Sequence, residues 1–212
     1  MPGCHLTAIF RADATQFLGS GHVMRCLALA QALTDRGIPC LFAVNPEAPE
    51  TVPALRSSGH EIRFVDGPLA DQARQLAAIV PEVSQRGRLL LVVDHYQWRA
   101  EIEWLCRAWA NRILVIDDLA DRPHDCDIVV DSALGRSPSD YVQLVPPGAQ
   151  MLLGPAYAPL RPEFAALRAK ALARRGAGGL GRILVTMGLT DPGNATAVAL
   201  DGLVDAGIMS GI

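Results

Sequence analysis

Leu89, Leu90, Leu91, Val92 and Val93 follow one another without a polar interruption, and Asp94 ends the run. A strand with one wet face would alternate polar and apolar residues, so this one must be covered on both sides. Such strands belong to parallel sheets, where each return to the sheet needs a crossover of a dozen or more residues, usually a helix. The rest of the chain keeps that rhythm. Short β-rich apolar runs at 6–10, 40–44, 62–65, 113–116, 128–130 and 151–153 alternate with stretches of helical period at 23–33, 69–83, 99–110 and 161–174. In the first of these helices Val23, Leu27, Ala30 and Leu33 share one face. The reading is an α/β fold, a doubly wound, Rossmann-like parallel sheet whose ligand sites lie beyond the carboxyl ends of its strands.

Residues 175–181, Arg-Gly-Ala-Gly-Gly-Leu-Gly, hold four glycines in seven positions and read as a flexible linker. The domain before it is 1–174. Beyond the linker, 183–186 reads as a strand and 195–204 as a helix. One βα unit cannot bury its own apolar face, so 182–212 is expected to open a second domain that these residues do not complete.

With 212 residues, 50% of them hydrophobic and 19% charged, the chain can bury a full core. A formal net charge of −3 gives no attraction to a phosphate backbone, so no nucleic-acid partner is expected. No apolar run approaches the roughly 20 residues that span a bilayer. The first residues lack a basic segment followed by an apolar one. A cytoplasmic protein with no membrane association is expected. Cys4, Cys26, Cys40, Cys106 and Cys126 are odd in number and form no Cys-x-x-Cys pair. They read as reduced, packed thiols, not as disulfides or zinc ligands.

Candidate chemistry gathers where the strands end. After the first come Arg11 and Asp13, then Gly19-Ser20-Gly21-His22 at the start of a helix. Glycines here permit close backbone approach, and free N–H groups at the helix start favour an anion such as phosphate. Three readings compete. A dinucleotide fingerprint would need a third glycine where Met24 stands and an acidic residue where Asn45 stands. A capping, purely structural histidine is the plain alternative. The third reading makes His22 a general base, because the glycine turn, Arg11, Asp13 and His22 converge on one strand end.

The second cluster, Asp94-His95-Tyr96, follows the buried strand. A metal pair from Asp94 and His95 is conceivable, but adjacent residues diverge and no further ligand recurs at useful spacing, so no metal site is assigned. Substrate positioning by Tyr96 and local hydrogen bonding by Asp94 are the preferred roles. The third cluster is Asp117-Asp118, with Arg122, His124, Cys126 and Asp127 beyond it. Two carboxylates suggest a glycosidase acid and base, yet consecutive residues rarely face each other across a bond. His124, Cys126 and Asp127 could hold a metal, and a turn capping the next strand is the simpler reading. Asp131 repeats the strand-end pattern. Last come Tyr157, Arg161, Pro162, Glu163 and Phe164, where Pro162 and Glu163 suit a helix start.

In this order the motifs resemble the UDP-2,4-diacetamido-2,4,6-trideoxy-β-L-altropyranose hydrolase family of pseudaminic acid biosynthesis. The resemblance is carried by Phe10-Arg-Ala-Asp13, Gly19-x-Gly21-His22-x-x-Arg25, Asp94-His95-Tyr96, Asp117-Asp118, His124-x-Cys126-Asp127, Tyr141 and Gly154-x-x-Tyr157-x-x-Leu-Arg161-x-Glu163-Phe164. Met187-Gly188-Leu189-Thr190-Asp191 with Asn194 looks like the loop opening that family's second domain. Leu189 departs from it, standing where the family usually has a glycine. The resemblance implies the amino-terminal half of a GT-B architecture, a UDP-sugar as the bound partner, and no cofactor or metal. It implies His22 as the base that activates water at the anomeric carbon, releasing UDP with inversion. Arg11, Asp13, Gly19, Gly21, Tyr96, Arg161, Gly188, Thr190, Asp191 and Asn194 are the implied substrate contacts, with Asp94, His95, Asp117 and Asp118 in support. A monomer is expected for a full-length protein and self-association for this shorter chain. A GT-B glycosyltransferase and a non-catalytic sugar-nucleotide-binding module are the rival readings.

Overall fold

The apolar run at 89–93 lies in the middle of the sheet. The strands are β1 (Leu6–Ala12), β2 (Cys40–Val44), β3 (Glu61–Phe64), β4 (Arg88–Asp94), β5 (Arg112–Ile116), β6 (Ile128–Asp131) and β7 (Gln150–Leu153). In the computed structural model, which describes residues 6–84, 87–175, 182–188, 191 and 193–208, they form one sheet in the order β3-β2-β1-β4-β5-β6-β7. Every pairing is parallel. The α/β, doubly wound sheet expected from the sequence is therefore the fold. From β1 the chain winds outward through β2 to β3, then returns to place β4 on the other side of β1. The carboxyl ends of β1 and β4 thus flank the switch point, where such sheets open a ligand crevice.

The helices are α1 (Gly21–Thr34), α2 (Ala48–Thr51), α3 (Pro53–Ser57), α4 (Leu69–Ser84), α5 (Ala100–Cys106), α6 (Pro138–Tyr141), α7 (Pro162–Ala173) and α8 (Ala195–Asp205). Alternate strand residues feed two cores. Phe10, Phe42, Val92, Leu114 and Val130 pack on one face with Val23, Cys26 and Ala30 of α1 and Leu55 of α3. Ile9, Leu91, Val93, Val115 and Val129 pack on the other with Ala73 and Leu76 of α4, Cys106 of α5 and Tyr141 of α6.

Three expectations need revision. The helix expected over 99–110 stops at Cys106, because Asn111 exchanges two hydrogen bonds with Leu89 and draws the chain straight into β5. Helices α2, α3 and α6 occupy stretches that have no helical period in the sequence. No strand forms at 183–186, since residues 182–187 carry neither helix nor strand. An isolated strand with no neighbour to pair with has nothing to hold it. The glycines of the linker at 176–181 and Cys4 lie outside the described residues. Cys26, Cys40, Cys106 and Cys126 are buried and free, and burial pushes the Cys106 and Cys126 thiols up to about 12. No helix among the described residues is long and apolar enough to cross a membrane.

Candidate active site

The register of β1 against β4 pairs Ala12 with Asp94, so the residues that follow each strand emerge side by side. Between β1 and α1 the chain makes a tight turn in which Gly19 donates to the Thr15 carbonyl at 2.8 Å. Gly19 has φ 82°, a left-handed conformation that side chains resist. Gly21, the first residue of α1, has open space where a Cβ would stand. No side chain caps this helix and its first turn carries no acid, so its amino end is available to an anion.

His22, in the first turn of α1, lays Nδ1 against Asp94 Oδ1 at 2.5 Å. Asp94 is wholly buried and accepts from four sides. His22 and Arg25 Nη2 (2.6 Å) approach Oδ1, while Arg25 Nε (2.5 Å) and the Cys26 thiol (3.8 Å) approach Oδ2. Burial alone would raise the Asp94 carboxyl, but the hydrogen bonds from Arg25 and His22 lower it below its ordinary value. An ionised carboxylate only accepts, so Nδ1 of His22 must carry the proton. Arg25 Nη2, 3.3 Å from the same nitrogen, cannot then donate to it. That leaves the lone pair on Nε2, which makes no hydrogen bond among the described residues. The imidazole is 5% exposed and meets the edge of Tyr96 at a centroid distance of 4.4 Å. Tyr96 itself is 42% exposed. Arg25 reaches onward to Asp118 Oδ2 at 2.8 Å.

At the ends of the same two strands, beginning one residue after Asp94, lies a second histidine–carboxylate pair with a different outcome. His95 Nε2 meets Asp13 Oδ2 at 2.9 Å, and the Gln97 backbone N–H donates to His95 Nδ1 at 3.1 Å. Both ring nitrogens are occupied, and the pattern is that of neutral imidazole. Burial lowers the His95 pKa, with Asp13 pulling upward and Arg11 adding to the fall. Asp13 also binds the Arg11 guanidinium and accepts the Asn45 backbone N–H at 2.9 Å. Burial opposes ionisation there, but His95 and Arg11 overcome it and hold the carboxyl well below the usual range. Arg11 is wholly buried and shares the Gln72 Oε1 acceptor, 2.9 Å away, with the Trp98 indole N–H at 3.0 Å.

The third cluster sits beneath β5 and β6. Asp117 accepts from the backbone of Leu119 and Ala120, and from the Tyr141 hydroxyl at 2.8 Å. The same hydroxyl lies 2.8 Å from Asp131 Oδ2, and Arg122 lies 3.1 Å from Asp117. His124 Nδ1 meets Glu103 at 2.8 Å, with Nε2 3.8 Å from Asp117. Burial works against its charge, yet Asp117 and Glu103 lift the His124 pKa to about 9. The two carboxylates thus favour its charged form.

The structure thus brings Asp13, Gly19, Gly21, His22, Asp94, His95, Tyr96, Asp117 and Asp118 to one sheet edge. Arg11 ends there too, wholly buried against Asp13 and Gln72. Arg161 lines a groove with Met24, Gln31 and His60, and its guanidinium lies 5.5 Å over the Phe164 ring. Asp191 accepts from the Ala195 and Thr196 backbone and so caps α8, next to Asn194 at φ 50°. Gly188 adopts a left-handed turn at φ 82°, and Leu189 and Thr190 lie outside the described residues. Sequence reasoning overlooked Arg25 as a site residue, although its place three residues after His22 puts both on one helix face. It also overlooked Asn45, whose amide pairs with both backbone groups of Ala14 at 3.0 Å, and Gln72, Glu103 and Arg136, which only the strand order brings near. Among the described residues no three His, Cys, Asp or Glu side chains are grouped to hold a metal ion.

No family model matches the chain. Over 160 residues it is 29% identical to the UDP-2,4-diacetamido-2,4,6-trideoxy-beta-L-altropyranose hydrolase of Campylobacter jejuni subsp. jejuni serotype O:2, covering 75% of this chain and 53% of the relative. The chain spans about half the length of that protein. The resemblance read from the ordered motifs is borne out by this match. Among solved structures, MurG of Acinetobacter baumannii aligns with a TM-score of 0.35 and 9% identity, over 71% of this chain and 67% of that one.

Proposed function

We propose that the chain carries the water-activating half of a UDP-sugar hydrolase acting on a 2,4-diacetamido-2,4,6-trideoxy sugar, with His22 as general base. The observation that carries the reading is the tautomer of His22. Nδ1–H is held by a saturated, buried carboxylate, and Nε2 keeps its lone pair beside Tyr96 at the switch-point crevice. In the proposed reaction Nε2 takes a proton from water as the water oxygen bonds to the anomeric carbon. The bond from that carbon to the diphosphate breaks, and UDP leaves with the electron pair. Attack opposite the leaving group inverts the centre. Asp94 stabilises the imidazolium, which then releases its proton to solvent. UDP is a good leaving group, so one base suffices and the mechanism invokes no metal. The amino end of α1 and the Gly19–Gly21 turn suit the diphosphate. Asp13, Tyr96 and Arg161, with Gly188, Thr190, Asp191 and Asn194, are further contacts suggested by the resemblance.

The test compares UDP release from that UDP-sugar by the chain and by His22→Ala, in water enriched in ¹⁸O. A fall of about 10²–10⁴-fold in the variant supports the base. Turnover untouched by the substitution, or label in UDP in place of the sugar, sinks the mechanism. Release without any acceptor separates hydrolysis from glycosyl transfer. Binding of the UDP-sugar with no release from wild type would favour the non-catalytic reading.

A further inference from the structure

Arg136 stands apart from the proposed reaction centre, yet a continuous line of polar contacts joins it to His22. It follows β6 in a turn made by Gly135, whose φ of 81° is the left-handed conformation. That turn swings Arg136 back over the ends of β5 and β6. Its Nε meets the buried Asp131 carboxylate, and its Nη2 donates to the Asp118 carbonyl at 2.9 Å. The guanidinium lies 5.9 Å from the centre of the Tyr141 ring, and the Tyr141 hydroxyl is fastened between Asp117 and Asp131. One end of this line is therefore anchored in the core.

The other end is the base. The Asp118 carboxylate accepts from Arg25 Nη1 at 2.8 Å, and the remaining nitrogens of that guanidinium grip Asp94, which holds Nδ1–H of His22. A guanidinium is a rigid planar fork, so the Asp118 contact fixes the angle at which Arg25 meets Asp94. Asp118 is 31% exposed and sits two residues before Ala120, which has a φ of 52°. Among the described residues its carbonyl has no partner besides Arg136. We infer that Arg136 is a positioning residue for the base: through Asp118 and Arg25 it sets the orientation of Asp94 and hence of His22. The inference rests on the hydrolase reading for its meaning in turnover, but the geometry can be measured without turnover.

The experiment reads the Nδ1–H proton of His22 by NMR in wild type, Arg136→Gln, Arg136→Lys and Asp118→Asn. An imidazole N–H held 2.5 Å from a buried carboxylate gives an isolated downfield signal, assigned by its loss in His22→Gln. The expected result is that Arg136→Gln and Asp118→Asn both move or broaden this signal, with Arg136→Lys between them and wild type. Each of the first two lowers kcat about tenfold and changes KM less than about twofold. The double variant is no worse than either single one, because both cut the same line. A signal unmoved in folded Arg136→Gln overturns the inference, and so does an additive double variant. If Arg136→Gln does not fold, the isosteric Asp118→Asn decides, and an unmoved proton there overturns it equally. Shifts in both variants with no UDP release from wild type would leave the positioning role supported while turnover by these residues alone fails.

Discussion

His22 and His124 each rest Nδ1 on a buried carboxylate, Asp94 in one case and Glu103 in the other, at 2.5 and 2.8 Å. Their surroundings send them to different ends. Arg25 grips Asp94 with two nitrogens, so the negative charge beside His22 is already balanced. Glu103 has no guanidinium partner among the described residues. Its contacts are His124 and the Asp125 backbone N–H, and His124 itself must supply the positive charge. On the proposed reading, the histidine whose carboxylate is balanced by another group is the one that serves as base, whereas the one that itself balances its carboxylate is structural. His95 shows a third arrangement, with the pattern of a neutral ring and both nitrogens engaged.

The contrast is most easily broken at Asp94. Asp94→Asn can hold the wrong imidazole tautomer, and kcat for UDP release is expected to fall about 10³–10⁴-fold, as in other histidine–aspartate pairs. Retained rate in a folded variant would mean that Asp94 does not orient the base. Glu103→Gln leaves His124 and its neighbours with an uncompensated buried charge, a loss of about 3–5 kcal/mol of stability. Chemical denaturation should register that loss while kcat of the folded fraction stays within about threefold. A collapse of kcat would show that the two clusters are not separable.

The pH dependence of stability sharpens the same comparison. The His124 pKa is raised from its ordinary value of 6.5 to about 9, so its contribution is complete below pH 6.5 and disappears as pH rises through 9. The amount is about 3 kcal/mol at most. Asp13 and Asp117 work in the opposite sense. Their depressed pKa values favour the fold above the ordinary carboxylate range and cease to do so as pH falls below about 4. Melting temperature should therefore decline from about pH 6.5 toward 9, and His124→Gln should flatten that alkaline slope, while on the acid side the lowered His95 pKa makes stability fall as pH drops below 6.5. The smallest effect is expected at His95, where His95→Gln costs about 1–2 kcal/mol of stability and changes turnover less than tenfold, measured as UDP release.

Much of the sheet was readable because its strands are short apolar runs ended by polar residues. β2 falls at 40–44 as the sequence predicts, and β4 extends the 89–93 run by one residue at each end. Gly19 and His22 were visible at the first strand end, since a glycine turn before a helix is a local signal. The partner of His22 was not. Asp94 lies 72 positions further on and joins it only because β4 docks beside β1, an order that periodicity does not encode. The partners of Glu103 and of Tyr141 were hidden for the same reason, each lying across the packing of a short helix on the sheet. The strand expected at 183–186 failed on the opposite ground: its local pattern is good, but among the described residues no neighbouring strand pairs with it.

The strand order has a consequence for how the site comes into being. β1 and α1 leave the ribosome well before β4, so for that interval His22 and Arg25 exist without Asp94. Their pairing closes a span of 69 residues between Arg25 and Asp94, a non-local contact that forms slowly by comparison with any helix. The imidazole meets the carboxylate that fixes its tautomer only when β4 slots in beside β1. On the proposed reading, assembly of the base is a late folding event, and His22 cannot serve in it until the central strands have met.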